Sequence, residues 1–415
     1  MNSKYMNFNF FFVVVLFSIS SQAMYDVCIM GPISHADGTG SIAYALNGYL
    51  NKELSLCYSF VETRFKATFE NSFHENDFMN VRPILSHEMN APARVLFFAS
   101  RLSEDVPDLV KSYPAAIKIA FSVFESTEIP SQWVTILNDC FDLVVVPDIF
   151  LIDVYKKSGV TIPVFCIAQG FFKSEPKHDF YDGKRPFRFG SSARNLPNKN
   201  LPKLIHAFHT VFGNNPDVEL IIHTKDHCEE LNDSIHHAMN TCGTTNVSVS
   251  EETFNQEAYF DFIRSLDCYV LISQGEGFSL TPREALSMGV PCIITDNTAH
   301  SSICQTGLVC VVKSPIKKPF FYFDLCDTFG YQFDCFQEDV EQALRDMFDN
   351  YSVYKNKSVQ TIQWARQFEW ESLVPLFKTL FKPESVILGE VDAVDGTTLI
   401  TTSPCLYEKY CQLGS

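Results

Sequence analysis

The sequence lacks a basic excess: 49 Asp and Glu stand against 32 Lys and Arg, for a net charge of −17. A field of that sign argues against nucleic acid as a partner and against general binding to anionic membranes, since both need clustered cations. Paired cysteines are also lacking. None of the 14 Cys forms a C-x-x-C pair or joins His at zinc spacing, so no zinc site is expected. Many lie in apolar runs, such as Cys28 in "DVCIM", Cys166 in "VFCIA" and Cys292 in "PCIIT". They read as reduced thiols packed as small hydrophobes. After the N-terminus no run is long enough to cross a bilayer. There, "FNFFFVVVLFSIS" follows Lys4 and "SQA" ends at Ala23. Residues 1–23 read as a signal-like or anchor segment, or as untranslated if synthesis starts at Met24.

What is present is β/α alternation, twice over. Strands are expected at 25–30, 56–62, 95–100, 117–125, 142–147 and 163–168, then at 187–193, 219–224, 246–251, 268–273, 292–296 and 309–313. They are nearly continuous apolar runs, the signature of strands buried on both faces of a parallel sheet. Between the two sets, residues 171–186 are polar, charged and Pro-containing. The fold class is therefore α/β, with two Rossmann-like doubly wound domains facing across a cleft. The domains are expected at 24–172 and 187–382, with a linker at 173–186 and a tail at 383–415.

Four stretches carry candidate chemistry. In "SQGEGFSLTPREALSMGVPCIITD" (273–296), Glu276 lies between Gly275 and Gly277 after a strand, and Glu284 follows eight positions later. Thr281 suits an N-cap with Pro282 at the first helical position, which makes Thr281-x-x-Glu284 a capping box. That local reading explains Glu284 but not Glu276. The glycines let backbone approach a ligand closely, and the amides of Phe278 to Leu280 suit phosphate oxygens before a helix. In "GSSARNLPNKNLPKLIHAF" (190–208), Arg194 and Lys199 form either a solvated basic loop or a diphosphate clamp. In "GPISHADGTGSIAYALNGYL" (31–50), Gly38, Thr39 and Gly40 precede a helix. Ala43 spoils a strict G-x-G-x-x-G, and Glu62 is the one acidic candidate for a dehydrogenase ribose contact. In "FSVFESTEIPSQWVTILNDCFDLVVVPDIF" (121–150), Glu125 ends a strand, either as a cleft residue or as a helix cap.

The first stretch resembles the retaining GT-B glycosyltransferases, and most of all family 4, the glycosyl transferases group 1. Their pattern runs roughly E-G-F-x-L-x-x-x-E-A-x-x-x-G-x-P-[VC]-I. Glu276, Gly277, Phe278, Leu280, Glu284, Ala285, Gly289, Pro291 and Ile293 match it. The resemblance covers nearly all of 24–380 and is strongest in 187–313. It implies that Glu284 holds the ribose hydroxyls of a nucleotide-sugar donor and that Glu276 contacts the transferred sugar. It implies a catalytic set of Glu276, Arg194 and Lys199, with Gly277, Phe278, Ser279, Leu280, Glu284, Gly38, Thr39 and Gly40 around the donor. The 121–150 stretch resembles one branch of the family at Glu125, Ser126, Pro130 and Trp133, with Asp148 where Ser is commoner. Glu125, Ser126 and His35 are the acceptor-side candidates, and "HSSI" (300–303) stands where relatives often carry an acidic residue.

No D-x-D is present, and GT-B enzymes generally use no metal. The resemblance thus implies no cofactor beyond a nucleotide-diphosphate sugar as co-substrate, and a glycan or lipid-linked acceptor. A non-catalytic nucleotide- or glycan-binding relative and an NAD-dependent dehydrogenase are the rival functions. The expected place is the cytoplasm, with weak membrane association as a variant. Export or a secretory lumen is the alternative, in which Asn246 ("NVS") and Asn356 ("NKS") would be glycan acceptors.

Overall fold

A computed structural model describes residues 24–32, 40–59, 92–224 and 229–381. The first sheet holds β1 (Tyr25–Met30), β2 (Leu56–Ser59), β3 (Ala93–Phe98), β4 (Ala115–Phe121), β5 (Leu143–Val146) and β6 (Val164–Cys166), in the order β2-β1-β3-β4-β5-β6. The second holds β7 (Phe187–Ser192), β8 (Val218–His223), β9 (Val247–Ser250), β10 (Cys268–Leu271), β11 (Cys292–Asp296) and β12 (Cys310–Lys313), in the order β12-β11-β10-β7-β8-β9. Every pairing within both sheets is parallel. Two doubly wound Rossmann-like domains result, as the alternation predicts.

The continuous apolar runs follow from helices covering both faces. Along β3, Val95 and Phe97 point into one core cluster while Leu96 and Phe98 enter another, all fully buried. Alternate side chains need burial on opposite faces, so no polar alternation survives.

Three elements depart from expectation. β4 stops at Phe121, so Glu125 lies in the following loop and does not end the strand. The polar 171–186 stretch is partly buried, because Asp267 gathers its cations: Arg185 makes a two-pronged pair with it at 2.5 and 2.9 Å, and Lys177 lies 3.5 Å away. Third, a hairpin of β13 (Ile316–Tyr322) and β14 (Asp327–Asp334) leaves the second domain and lies on the first. Phe320 and Tyr322 pack edge-on against Phe124 at 5.6 and 5.2 Å.

The last described helix, Trp370–Phe381, also crosses back. Phe377 and Phe381 meet Phe97 at 5.9 and 5.2 Å, and the Tyr49 hydroxyl donates to Glu371 at 2.8 Å. Gly170 lets it seat, since a Cβ there would fall 2.4 Å from the Trp370 ring. Thus part of the segment assigned by sequence to the second domain completes the core of the first.

Candidate active site

Strand order reverses between β7 and β10, and ligands in such sheets bind beyond the carboxyl ends of the strands at that point. The loops after these two strands are the ones that carry Arg194 with Lys199 and Glu276 with Ser279. After β7 a short 3-10 turn, Pro197–Lys199, ends at Asn200 in a left-handed conformation, φ 56°. The Asn200 amide makes that affordable by donating to the Ile272 carbonyl at 3.0 Å and to Asp334 at 2.9 Å. The turn drives Lys199 inward, where its ammonium donates to Glu276 Oε1 at 2.7 Å.

Glu125 of the first domain completes this cluster. Its Oε1 is 3.7 Å from Lys199 Nζ, and Asn198 Nδ2 donates to its Oε2 at 2.8 Å. Burial works against the Lys199 charge, but Glu125 and Glu276 outweigh it and hold the ammonium above its usual value. Burial raises the Glu125 carboxyl, against the pull of Lys199. The 37% of its side chain left open moderates that rise. Arg194 is exposed, and its charge is felt by both Glu125 and Lys199. One cluster therefore joins Glu276, Lys199, Arg194 and Glu125 from both domains.

The glycines beside Glu276 serve a different neighbour from the one expected. A Cβ on Gly275 would lie 2.4 Å from the Glu125 carbonyl oxygen, and one on Gly277 would lie 2.2 Å from Val123 Cγ1. They admit the 123–125 backbone of the first domain. The backbone N–H of Glu276 donates to Thr298 Oγ1 at 2.8 Å, which fixes the root of the carboxylate.

The capping box is not formed. The helix is Leu280–Ser287, and Ser279 precedes it in a left-handed conformation, φ 63° and ψ 72°, without a side-chain cap. Thr281 Oγ1 instead pairs with the Tyr269 hydroxyl at 2.7 Å, and Glu284 accepts from that of Tyr259 at 2.7 Å. Burial, and then the Glu284 charge, keep Tyr259 protonated by raising it well above its usual value. Glu284 is thus held by Tyr259 and not by a capping box. The Ser279 hydroxyl pairs with His300 Nε2 at 2.6 Å. His300 Nδ1 faces the Thr295 carbonyl at 3.1 Å, an acceptor only, so Nδ1 carries the proton and Nε2 accepts from Ser279. Burial, and then the Arg283 and Lys199 charges, push His300 down to about 3, so it is neutral.

One expected contact is corrected and one is narrowed to the backbone. Phe278 is buried against Phe368 with Arg283 over its ring, so its side chain is core and only its amide remains of the expected contact. Ser126 is fully buried, and its hydroxyl donates to the Phe329 carbonyl at 2.6 Å, so it anchors the hairpin and does not face an acceptor. Leu280 is half-buried, and Gly40 opens the first helix, Gly40–Leu50, from a buried position. His35, Gly38, Thr39 and Glu62 lie outside the described residues. The Asn246 amide donates to the carbonyls of Asn215 and Val218 at 3.0 and 2.9 Å, so in the fold it is a structural pin.

Sequence reasoning missed Arg283 and the purpose of Asp148. These form a buried pair across the domains at 2.9 Å, with side chains 1% and 4% exposed. The one available signal was Asp148 itself, a carboxylate where the family resemblance implies Ser. Among the described residues no helix is long and apolar enough to cross a membrane, and no group of three or more His, Cys, Asp or Glu could hold a metal.

Comparison with known proteins bears on the family of one domain and on the fold. Residues 187–317, which contain both loops of the switch point, match the family described as "Glycosyl transferases group 1". A stretch of 54 residues is 43% identical to the lipopolysaccharide core biosynthesis mannosyltransferase LpsB of Rhizobium meliloti. It covers 12% of this chain and 15% of that relative, so the likeness spans a small part of either. The sucrose-phosphate synthase of Thermosynechococcus elongatus superposes with a TM-score of 0.63 over 86% of this chain and 98% of its own, at 11% identity. Anabaena HepE, solved in complex with UDP-glucose, gives 0.62 over 85% and 99%, at 10% identity. At such identities the likeness is one of fold. Residues 187–317 are thus a glycosyl transferases group 1 domain, within a chain whose two-sheet architecture is that of GT-B glycosyltransferase structures.

Proposed function

We propose that the protein is a retaining glycosyltransferase that moves a sugar from a nucleotide-diphosphate sugar to a hydroxyl of a glycan or lipid-linked acceptor. The observation that carries this reading is the cluster at the switch point: Lys199 held at 2.7 Å by Glu276, with Glu125 facing it from the other domain. Anabaena HepE binds UDP-glucose, which supports a donor of that class.

In this reading the donor lies on the second domain. Arg194 and Lys199 take the diphosphate, one as a planar fork and the other as a point charge. The backbone N–H groups of Ser279 and Leu280 add to them at the helix start. Glu284 accepts from the ribose hydroxyls, with Tyr259 holding its second oxygen in place. Glu276 accepts from hydroxyls of the sugar. The acceptor oxygen attacks the anomeric carbon from the face the diphosphate leaves. Its proton passes to the departing phosphate oxygen, so no side chain need act as nucleophile. Catalysis then rests on stabilising the leaving charge and on positioning. The open edge of Glu125 would serve the acceptor. The chain acts without a metal, in the cytoplasm or against a membrane surface.

A thermal-shift panel of UDP-, GDP- and ADP-sugars tests the reading. One nucleotide should raise the melting temperature, because a ligand at about 100 times its Kd stabilises by about 2.7 kcal/mol. No shift with any of them, in protein that melts cooperatively, contradicts it.

A further inference from the structure

Arg283 stands next to Glu284 in sequence yet touches neither carboxylate of the site among its described contacts. It is 1% exposed and among the largest fully buried side chains. From the first turn of the Leu280–Ser287 helix it folds back over the preceding loop. Its Nη1 donates to the Phe278 carbonyl and, at 3.2 Å, to that of Ser279. Its Nη2 donates to Asp148 Oδ2 at 2.9 Å and to Ser302 Oγ at 2.8 Å. The guanidinium lies 3.9 Å over the Phe278 ring and 5.0 Å from that of Phe368.

These contacts control atoms that Arg283 does not reach. A peptide unit is planar and trans, so a carbonyl and the N–H of the next residue point in opposite directions. Pinning the Phe278 carbonyl aims the Ser279 N–H away from Arg283, and pinning the Ser279 carbonyl does the same for the Leu280 N–H. The left-handed Ser279 lies between the two peptide planes. Backbone in that region needs surroundings that over-determine it. Here Arg283 holds the peptides on both sides and His300 holds the Ser279 hydroxyl.

The charge balancing Arg283 comes from the other domain. Asp148 caps the Ile149–Ser158 helix with Oδ1, which accepts from the Phe150 N–H at 3.3 Å, and uses Oδ2 for Arg283 and Ser302. With Asp148 withdrawn, a buried guanidinium would lose its counter-charge.

We propose that Arg283 is a positioning residue for the donor, aiming the Ser279 and Leu280 amides at the diphosphate, and that Asp148 makes this aim depend on contact between the domains. This rests on the glycosyltransferase reading for the identity of the ligand, but the loop geometry is testable without one.

The test uses full-length wild type, Asp148→Asn, Arg283→Lys and the double variant Arg283→Gln/Asp148→Asn. Asn keeps the helix cap but loses the charge. The double variant removes both charges together, so no buried charge is left unpaired. Two readings are taken: calorimetric affinity for UDP, GDP and ADP, and hydrogen–deuterium exchange of the peptide covering 274–287 in free protein. The proposal expects the nucleoside diphosphate that binds wild type to bind each variant about 10-fold to 100-fold more weakly, with faster exchange in 274–287. In the double variant the melting temperature should return toward wild type while affinity and exchange do not. Affinity that recovers with the melting temperature, or exchange unchanged in folded Arg283→Lys, overturns the proposal. If no diphosphate binds wild type, the transferase reading fails and the exchange data alone decide the role of Arg283 in the loop.

Discussion

Side chains at the site divide into those that the proposed donor would meet and those that hold the loops still. His300 belongs to the second group, and its behaviour has a measurable sign. Its folded value, about 3, lies below the ordinary 6.5. Between those values the unfolded chain binds a proton that the folded chain refuses, so stability rises with pH through the window and levels off above 6.5. At pH 5 the wild type should take up about one proton more on unfolding than His300→Gln, read from the pH slope of urea-unfolding free energies. Equal slopes would mean that His300 is protonated in the folded state. Glu276 was legible in the sequence because a carboxylate between two glycines after a strand has no local duty. Asp148 and Arg283 were not legible as a pair, because they are 135 positions apart and each has a plausible local role. Glu284 was legible in type and wrong in local detail: the helix begins two residues early, and the box it should have closed never forms.

At the scale of elements, the strands were located to within about two residues, except that β4 was read four residues too long at its end, because burial on both faces leaves continuous apolar runs. The β13–β14 hairpin was missed because its two faces differ. One face packs on the first domain through Phe320, and the other exposes Phe321 and Tyr331 at 45% and 42%, so the pattern resembles neither a core strand nor a loop. The loop after β10 depends on the loop after β4 through the glycines. Gly277→Ala would press a Cβ within 2.2 Å of Val123 and 3.1 Å of the Phe124 carbonyl. Overpacking of this kind costs about 1–3 kcal/mol. It should also move Glu125 away from Lys199, lowering turnover by ~10-fold or more beyond the loss of folded protein. A Gly277→Ala variant with wild-type melting and wild-type turnover would show that the two loops do not need this contact.

Across the whole molecule, the domains are bound by more than a linker. The buried Asp148–Arg283 pair, the hairpin and the Trp370–Phe381 helix all cross between them. A chain ending at residue 368 would strip Phe377 and Phe381 from Phe97. Burial of a large apolar side chain is worth about 1.5–3 kcal/mol, and the helix also buries Trp370, Leu373 and Leu380. Such a truncation should lose cooperative melting of the first domain as well as the second. The crossing was not legible from sequence, since nothing in an amphipathic helix names the sheet it will cover. Glu276 is the residue on which the proposed chemistry depends most. The most direct measurement is turnover of the nucleotide sugar that binds wild type, compared with Glu276→Gln in parallel with calorimetric affinity for the matching nucleoside diphosphate. The account predicts at least ~100-fold lower turnover with diphosphate affinity and melting temperature close to wild type, because Gln can still accept from Lys199 and Glu125 still faces its charge. Full turnover by Glu276→Gln, or loss of its folded state, would contradict it.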